Sequence, residues 1–243
     1  MTYEFIKEIN TVTADIVNKL YEGDIGILLI RNCDSSIVEE FGELLPQDLY
    51  NNKVIPVGIK DKEQDHVWHT TEMLWHQDRA YNKSVHPFVG LYCVVAESGS
   101  SPTHFLDMQR AYAESSDGLK KDCENVVCVN EVAKYFKQAE YPHTFRNKAW
   151  ERAYRMKARA EHSLVQSDKY GNYYFYSPAY TLTDFEDRLK EECIKSEYIV
   201  THWWQPQDLL VYNNLKILHK REETPEHVDR RHLRFAIDKH KSF

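Results

Sequence analysis

Glycine is scarce in this chain: eight in 243 residues, none of them in a G-x-G-x-x-G or G-x-x-x-x-G-K-[ST] arrangement. Loops that cradle nucleotide phosphates need such glycines so that backbone N–H groups can close on the phosphate, so this class of function is disfavoured. The five cysteines, Cys33, Cys93, Cys123, Cys128 and Cys193, are odd in number and form no C-x-x-C pair. A disulfide framework and a structural zinc site are therefore disfavoured, and the usage fits a reducing cytoplasm. No apolar run approaches the ~20 residues of a membrane span. The opening "MTYEFIKEIN" carries charge where a signal peptide needs an apolar stretch. Excess positive charge is also missing: the net charge of −7 gives no reason to expect a nucleic acid partner. No Pro/Gly/Ser-rich linker, repeat or low-complexity block interrupts the sequence, so residues 1–243 read as one domain of a length ordinary for a β-sandwich or barrel.

What is present begins with a short amphipathic helix over 13–21, where Ile16, Leu20 and Tyr21 share a face. "IGILLI" follows as a buried strand, and "DSSIVEEFGELL" carries a helix N-cap signature at Asp34 to Ser36. Beyond residue 50 aromatic and β-branched runs recur between turn residues: "HPFVGLYCVVAE", "ENVVCVNEV", "NYYFYSPAY", "EYIVTHWW", "DLLVYNN" and "HLRFAID". That texture predicts a mainly β protein with flanking helices, a sandwich or jelly roll. The 16 tyrosines read as filling for such a sandwich, with "NYYFY" alternating as one strand.

"LWHQDRAY" poses the chemical question. On a strand, side chains at i and i+2 share a face, so His76 and Asp78 could close on one cation. Two ligands alone also suit a hydrogen-bonded surface pair. "WWQPQDLLVYNNLKILHKREE" reads as strand, turn and strand ending at His219, and "VDRRHLRFAID" as a further strand. There Arg230, His232 and Arg234 alternate onto one face. Arginines on one face of a core strand need a carboxylate to meet, because an unpaired buried guanidinium is costly.

In order along the chain, "GILLIRNCD", "WHQD", "SGSSPTHFLDMQRAY", "EHSLVQSDKYGNYYFYSP", "HWWQPQDLLVYNNLKILH" and "RRHLRF" resemble successive motifs of the taurine dioxygenase/TfdA family of Fe(II)- and 2-oxoglutarate-dependent oxygenases. The similarity covers most of the chain. It implies a double-stranded β-helix (jelly roll) in which His76, Asp78 and His219 form a two-histidine, one-carboxylate triad. Such a triad leaves iron positions open for 2-oxoglutarate and O₂. The resemblance further implies that Thr103 and Arg230 hold the distal carboxylate of 2-oxoglutarate. Arg234 would meet an acidic group of a small-molecule substrate, with His66, His69 and Glu72 bordering it. The implied reaction is hydroxylation with release of succinate and CO₂.

The sequence departs from the family pattern at three places. "PQD" replaces P-G-D, "SGSSPT" replaces G-G-x-T, and Asn213-Asn214 replaces D-N, removing an acid near His219 and with it a group that could orient that ligand. Halogenating members lack the carboxylate ligand, and Asp78 is present. His104, His162 and His202 read as structural. "RNKAWERAYRMKAR" would place Arg152, Arg155 and Arg159 on one helical face, a solvated flank or a lid that attracts an anion. Two other readings stay in view. A non-catalytic jelly-roll protein binding a metal or ligand would not need Thr103 and the arginines, and a zinc hydrolase would lack both an H-E-x-x-H motif and an evident base. Monomer and homo-oligomer both remain open.

Overall fold

In the computed structural model, which describes residues 3–47, 52–58, 72–138 and 154–238, the six residues of "IGILLI" form strand β2 (Ile25–Ile30), buried throughout. A strand this apolar needs cover on both faces, and the chain supplies it from two directions. Leu28 and Ile30 pack with Val17 and Leu20 of α1 (Ala14–Glu22), while Ile27 and Leu29 pack with Phe105 and Ile217 of a facing sheet. The helix starts where Thr13 Oγ1 accepts from Ile16 N–H and stops at Gly23, whose φ of 87° suits glycine.

The larger sheet runs β1 (Glu4–Ile9), β2, β14 (Leu209–Asn213), β6 (Phe88–Ala96), β16 (Arg230–Asp238) and β3 (Glu43–Leu44), with β4 (Val54–Gly58) also paired to β16. Only β1 and β2 are parallel; β14, β6, β16, β3 and β4 pair antiparallel. The facing sheet runs β13 (Ile199–His202), β7 (Thr103–Asp107), β15 (Ile217–Arg221) and β5 (Met73–His76). Leu106 and Leu218 on its outer face are covered by α2 (Met108–Glu114), α3 (Asp117–Cys123) and α5 (Glu186–Cys193). Beside these lie β12 (Thr181–Leu182) with β8 (Val127–Glu131) and β9 (Arg159–Ser163), and the hairpin of β10 (Val165–Asp168) and β11 (Gly171–Tyr174). Helix α4 (Val132–Gln138) follows β8. Among the described residues no helix is long and apolar enough to cross a membrane.

Period-two alternation decides what faces the interior. On β15, Leu218 turns outward, so Ile217, His219 and Arg221 turn inward; on β7, Leu106 turns outward, so Thr103 and Phe105 turn inward. On β16, Phe235 and Ile237 pack outward against α1's layer, which sends Arg230, His232 and Arg234 toward the facing sheet. The polar residues of interest thus lie between the sheets.

Three local expectations are corrected. Ser35–Phe41 is a 3₁₀ helix capped by Asp34, because Val38 and Phe41, three apart, both reach the core and i, i+3 residues eclipse in that geometry. "NYYFY" is not one alternating strand: β11 stops at Tyr174, and Tyr173 to Tyr176 are all buried. Arg159 opens β9 opposite Glu131 and shares no helical face with Arg155. Arg152 lies outside the described residues, as do His66 and His69.

The turn between β14 and β15 is pinned by Lys216, whose buried ammonium donates to Asp168 Oδ2 (2.9 Å), Gln109 Oε1 (2.8 Å) and Gly23 O (3.2 Å). Lys216→Met leaves those acceptors unmatched. We expect a loss of about 2–3 kcal/mol in chemical denaturation, toward the low end for a broken buried pair because Asp168 is partly exposed. Lys7→Met, which removes the exposed Lys7–Glu4 pair at 3.0 Å, should cost no more than about 0.5 kcal/mol.

Candidate metal centre and its anion pocket

His219 and His76 face each other directly across the β15–β5 pairing, with ring centroids 4.1 Å apart. His76 Nδ1 lies 2.7 Å from Leu74 O. A carbonyl only accepts, so Nδ1 carries a proton and Nε2 is the ring atom that would meet a cation. Burial, then the neighbouring His76, pushes His219 down to about 3, so its imidazole is neutral and able to ligate.

Asp78 reaches the same point by another route than strand alternation, because β5 ends at His76. Asp78 sits in the turn that follows, where Arg79 adopts a φ of 59°. Asn214 holds that turn: its Oδ1 accepts from Asp78 N–H (2.9 Å), and its Nδ2 donates to Asp78 O (3.1 Å) and His86 O (2.9 Å). The carboxylate then lies 3.6 Å from His76 Nε2 and 3.9 Å from His219 Nε2, and one donor atom from each residue falls within 4.8 Å of the others. Burial opposes ionisation of Asp78, but the Arg234 guanidinium and the two imidazoles hold its carboxyl well below the usual range. Two imidazole nitrogens and one carboxylate, with both histidines buried and Asp78 partly so, suit a divalent ion such as Fe(II).

Asn213 does not disturb this arrangement. Its Oδ1 accepts from Leu215 N–H (3.0 Å), a turn bond that an aspartate oxygen would also make. The other two departures are structural as well. Ser101, in the segment before Thr103, bonds Thr224 by its backbone N–H (3.4 Å) and its hydroxyl (2.5 Å), and Gln207 takes a positive φ of 69°.

Arg230 and Arg234 meet different fates. Arg234 Nε donates to Asp78 Oδ2 at 2.8 Å, and its Nη1 donates to Gln47 Oε1. Arg230 is buried, donates Nε to Ser101 O (3.0 Å) and Nη2 to Thr103 Oγ1 (3.1 Å), and has no carboxylate partner among the described residues. Burial, then the Arg221 guanidinium, drives its pKa well below the arginine norm. Thr103 Oγ1 also accepts from Trp204 Nε1 at 2.8 Å. With two donors on its lone pairs, the hydroxyl has its own proton free to donate outward. A cation and an O–H donor thus converge with no carboxylate among the described residues to receive them.

Other expectations divide. His104 bonds Thr201 (2.9 Å) and Glu222 (3.0 Å), His162 bonds Asn82 O (3.0 Å), and His202 bonds Asp208 (3.0 Å), all structural contacts. Glu72 is not beside the triad. It is exposed and lies 3.8 Å from Lys220, which points to the opposite face of β15 from His219. Sequence reasoning passed over Asn214, Trp204 and Gln47. The first two had a signal in "NN" and "WWQP"; Gln47 had none, since its partner is 187 positions away.

The family model described as taurine catabolism dioxygenase TauD, TfdA family matches residues 7–236. Among solved structures, AAD-2 in complex with Mn(II) and N-oxalylglycine superposes with a TM-score of 0.77 at 15% identity, covering 98% of this chain and 95% of that one. A taurine dioxygenase from Burkholderia xenovorans superposes with a TM-score of 0.70 at 14% identity, covering 97% and 88%. No curated protein matches in sequence. At these identities the structures establish the fold, and the facing sheets are the jelly roll expected from the sequence. The family match, spanning nearly the whole chain, decides the rest: this protein belongs to the taurine catabolism dioxygenase TauD, TfdA family.

Proposed function

We propose that the chain is an Fe(II)- and 2-oxoglutarate-dependent dioxygenase that uses His76, Asp78 and His219 for the metal and Thr103 with Arg230 for the distal carboxylate of 2-oxoglutarate. Its prime substrate, on this reading, is a small acid hydroxylated at an unactivated C–H. One observation carries the proposal: a two-histidine, one-carboxylate cluster shares an interior with a buried guanidinium that has no carboxylate partner among the described residues. A protein holding a metal only for structure gains nothing from that second feature. The solved relative with Mn(II) and N-oxalylglycine, an analogue of 2-oxoglutarate, supports the same pairing of metal and 2-oxo acid.

Bound iron supplies the chemistry by which 2-oxoglutarate and O₂ yield succinate, CO₂ and a hydroxylated carbon. The protein's own part is positional. Leu74 O fixes the His76 tautomer, Asn214 fixes the Asp78 backbone, and Thr103 and Arg230 present one O–H and one fork to a carboxylate. Arg234 supports the acidic substrate. Its Nε and Nη1 are engaged, and Nη2 makes no hydrogen bond to a described residue, which leaves a charged donor beside the ligands. Placement in the cytoplasm belongs to this reading and draws on five free cysteines, four of them buried.

Anaerobic titration with Fe(II) and 2-oxoglutarate should give the weak visible charge-transfer band of an iron-bound 2-oxo acid, and air should then release succinate. Asp78→Ala should lose both and, because Arg234 loses its carboxylate partner, melt at a lower temperature while still folding; retention of normal turnover would sink the triad.

Arg230→Ala removes a charge-assisted pair of hydrogen bonds, each contributing ~1.5–3 kcal/mol. The expected loss of 2-oxoglutarate affinity is tenfold or more, about 1.4 kcal/mol. An unchanged isotherm would refute the assignment.

Arg234→Leu should raise the KM of an acidic substrate strongly, and change the 2-oxoglutarate dissociation constant little. Mn(II) affinity is measured alongside, since Arg234 touches Asp78. An efficiently oxidised neutral substrate indifferent to Arg234→Leu would end the acidic-substrate reading.

A further inference from the structure

Between the two arginines, on the same inward face of β16, stands a residue that neither the triad nor the anion pocket accounts for. His232 is 2% exposed, and neither Nδ1 nor Nε2 has a hydrogen-bond partner among the described residues. Each such orphaned polar atom costs ~1–3 kcal/mol, so a native interior keeps one where local strain, a bound water or a ligand accounts for it. The contrast with His202 is direct. Both imidazoles pack edge-on against Trp204, at centroid distances of 4.4 Å for His232 and 4.6 Å for His202. His202, however, has Asp208 at 3.0 Å.

The surroundings of His232 say what would complete it. Trp204 donates its indole N–H to Thr103 Oγ1, and Arg230 donates to the same oxygen. Trp204 thus touches both His232 and Thr103, and Arg230, which has no carboxylate partner among the described residues, leaves the same face of β16 two residues from His232. Burial, followed by Arg230, Arg221 and His202, drives its pKa well below the histidine norm. A neutral imidazole offers one N–H donor without adding charge beside buried guanidinium groups. The β16–β6 ladder also breaks register between Arg231 and His232, so a bulge lies where the two side chains must both be aimed.

We propose that His232 is a third residue of the co-substrate pocket, donating its ring N–H to the same carboxylate that Thr103 and Arg230 hold. The inference rests on the reading of that pocket given under Proposed function and adds a residue to it. Three donors of different chemistry on one carboxylate would fix its plane as well as its position, and so set the length of 2-oxo acid that spans from there to the metal.

The test compares two ligands on protein loaded with Mn(II) and kept from O₂, using calorimetry. 2-Oxoglutarate has the distal carboxylate; oxalate has only the metal-binding end. His232→Phe keeps a ring against Trp204 and removes both nitrogens, with His232→Leu as the second apolar variant should the phenylalanine protein not fold. Either should weaken 2-oxoglutarate about tenfold, ~1.4 kcal/mol, and leave oxalate and Mn(II) binding unchanged. His232→Gln, which can still donate, should recover most of the loss. Equal loss for both ligands, or no loss for either, overturns the proposal: the first makes His232 a packing residue, the second a bystander. Arg230→Ala separates the two levels. If it binds 2-oxoglutarate as tightly as the parent protein, the pocket reading itself fails, and the proposal falls with it. If Arg230→Ala loses binding while His232→Phe does not, only the role of His232 is refuted.

Discussion

Everything at the metal centre hangs on the strand–turn–strand unit of β14 and β15, whose two strands lie in facing sheets. Its second strand carries His219 inward and pairs with β5, which places His76 opposite. Its turn carries Asn214, whose amide grips the Asp78 backbone from both sides. Three ligands from two distant stretches of sequence are thus fixed by one supersecondary unit. That unit is itself held from below by Lys216 and from both edges by antiparallel pairing. A ligand set built this way needs no metal to gather it. The elements that position it are held by backbone ladders and a buried amide, both expensive to break.

The second constraint is charge in a dry interior. Two arginines leave the same face of β16, and an interior cannot leave two guanidinium groups unanswered without a large penalty. Arg234 is answered within the chain by Asp78 and Gln47. Among the described residues Arg230 is answered only by neutral acceptors, Ser101 O and Thr103 Oγ1. Stability alone would favour a carboxylate or an apolar residue there. Keeping a cation with spare capacity makes sense where an anion arrives later, since the binding energy then recovers what folding gave up. The same logic extends to His232.

How much of this could be read from residues alone follows from the range of each interaction. "IGILLI" and the helix before it are legible because their signals are local: an unbroken apolar run, a threonine cap and a glycine stop. His76 and His219 are legible because the motifs holding them are compact. For Asp78 the i, i+2 spacing is not enough. Strand alternation does not reach it; an asparagine 136 positions away does. The 3₁₀ helix at Ser35–Phe41 was hidden because its spacing of apolar residues also suits an α-helix, and only packing under the sheet decides. Glu72 shows the opposite case: it is near the ligand strand along the chain and away from the site in space. One residue of alternation puts its partner Lys220 on the other face of the sheet.

Arg234 links the metal ligands to whatever acid binds beside them. A four-residue step along β16 moves about 13 Å, so Arg230 and Arg234 serve opposite ends of the interior, one by Thr103 and one by Asp78. The Arg234 guanidinium is planar, and its three nitrogens point in fixed directions. One nitrogen holds Asp78 and another holds Gln47, so an acid on the third would share a rigid group with the ligand carboxylate. Lysine could not do this, because a single ammonium on a flexible stem fixes no relative direction between its partners. The orientation of an acid gripped there would be set by the same plane that sets Asp78, and Asp78 is set by Asn214. The chain of constraint therefore runs from the turn between β14 and β15, through a ligand, to the place where a substrate acid would sit.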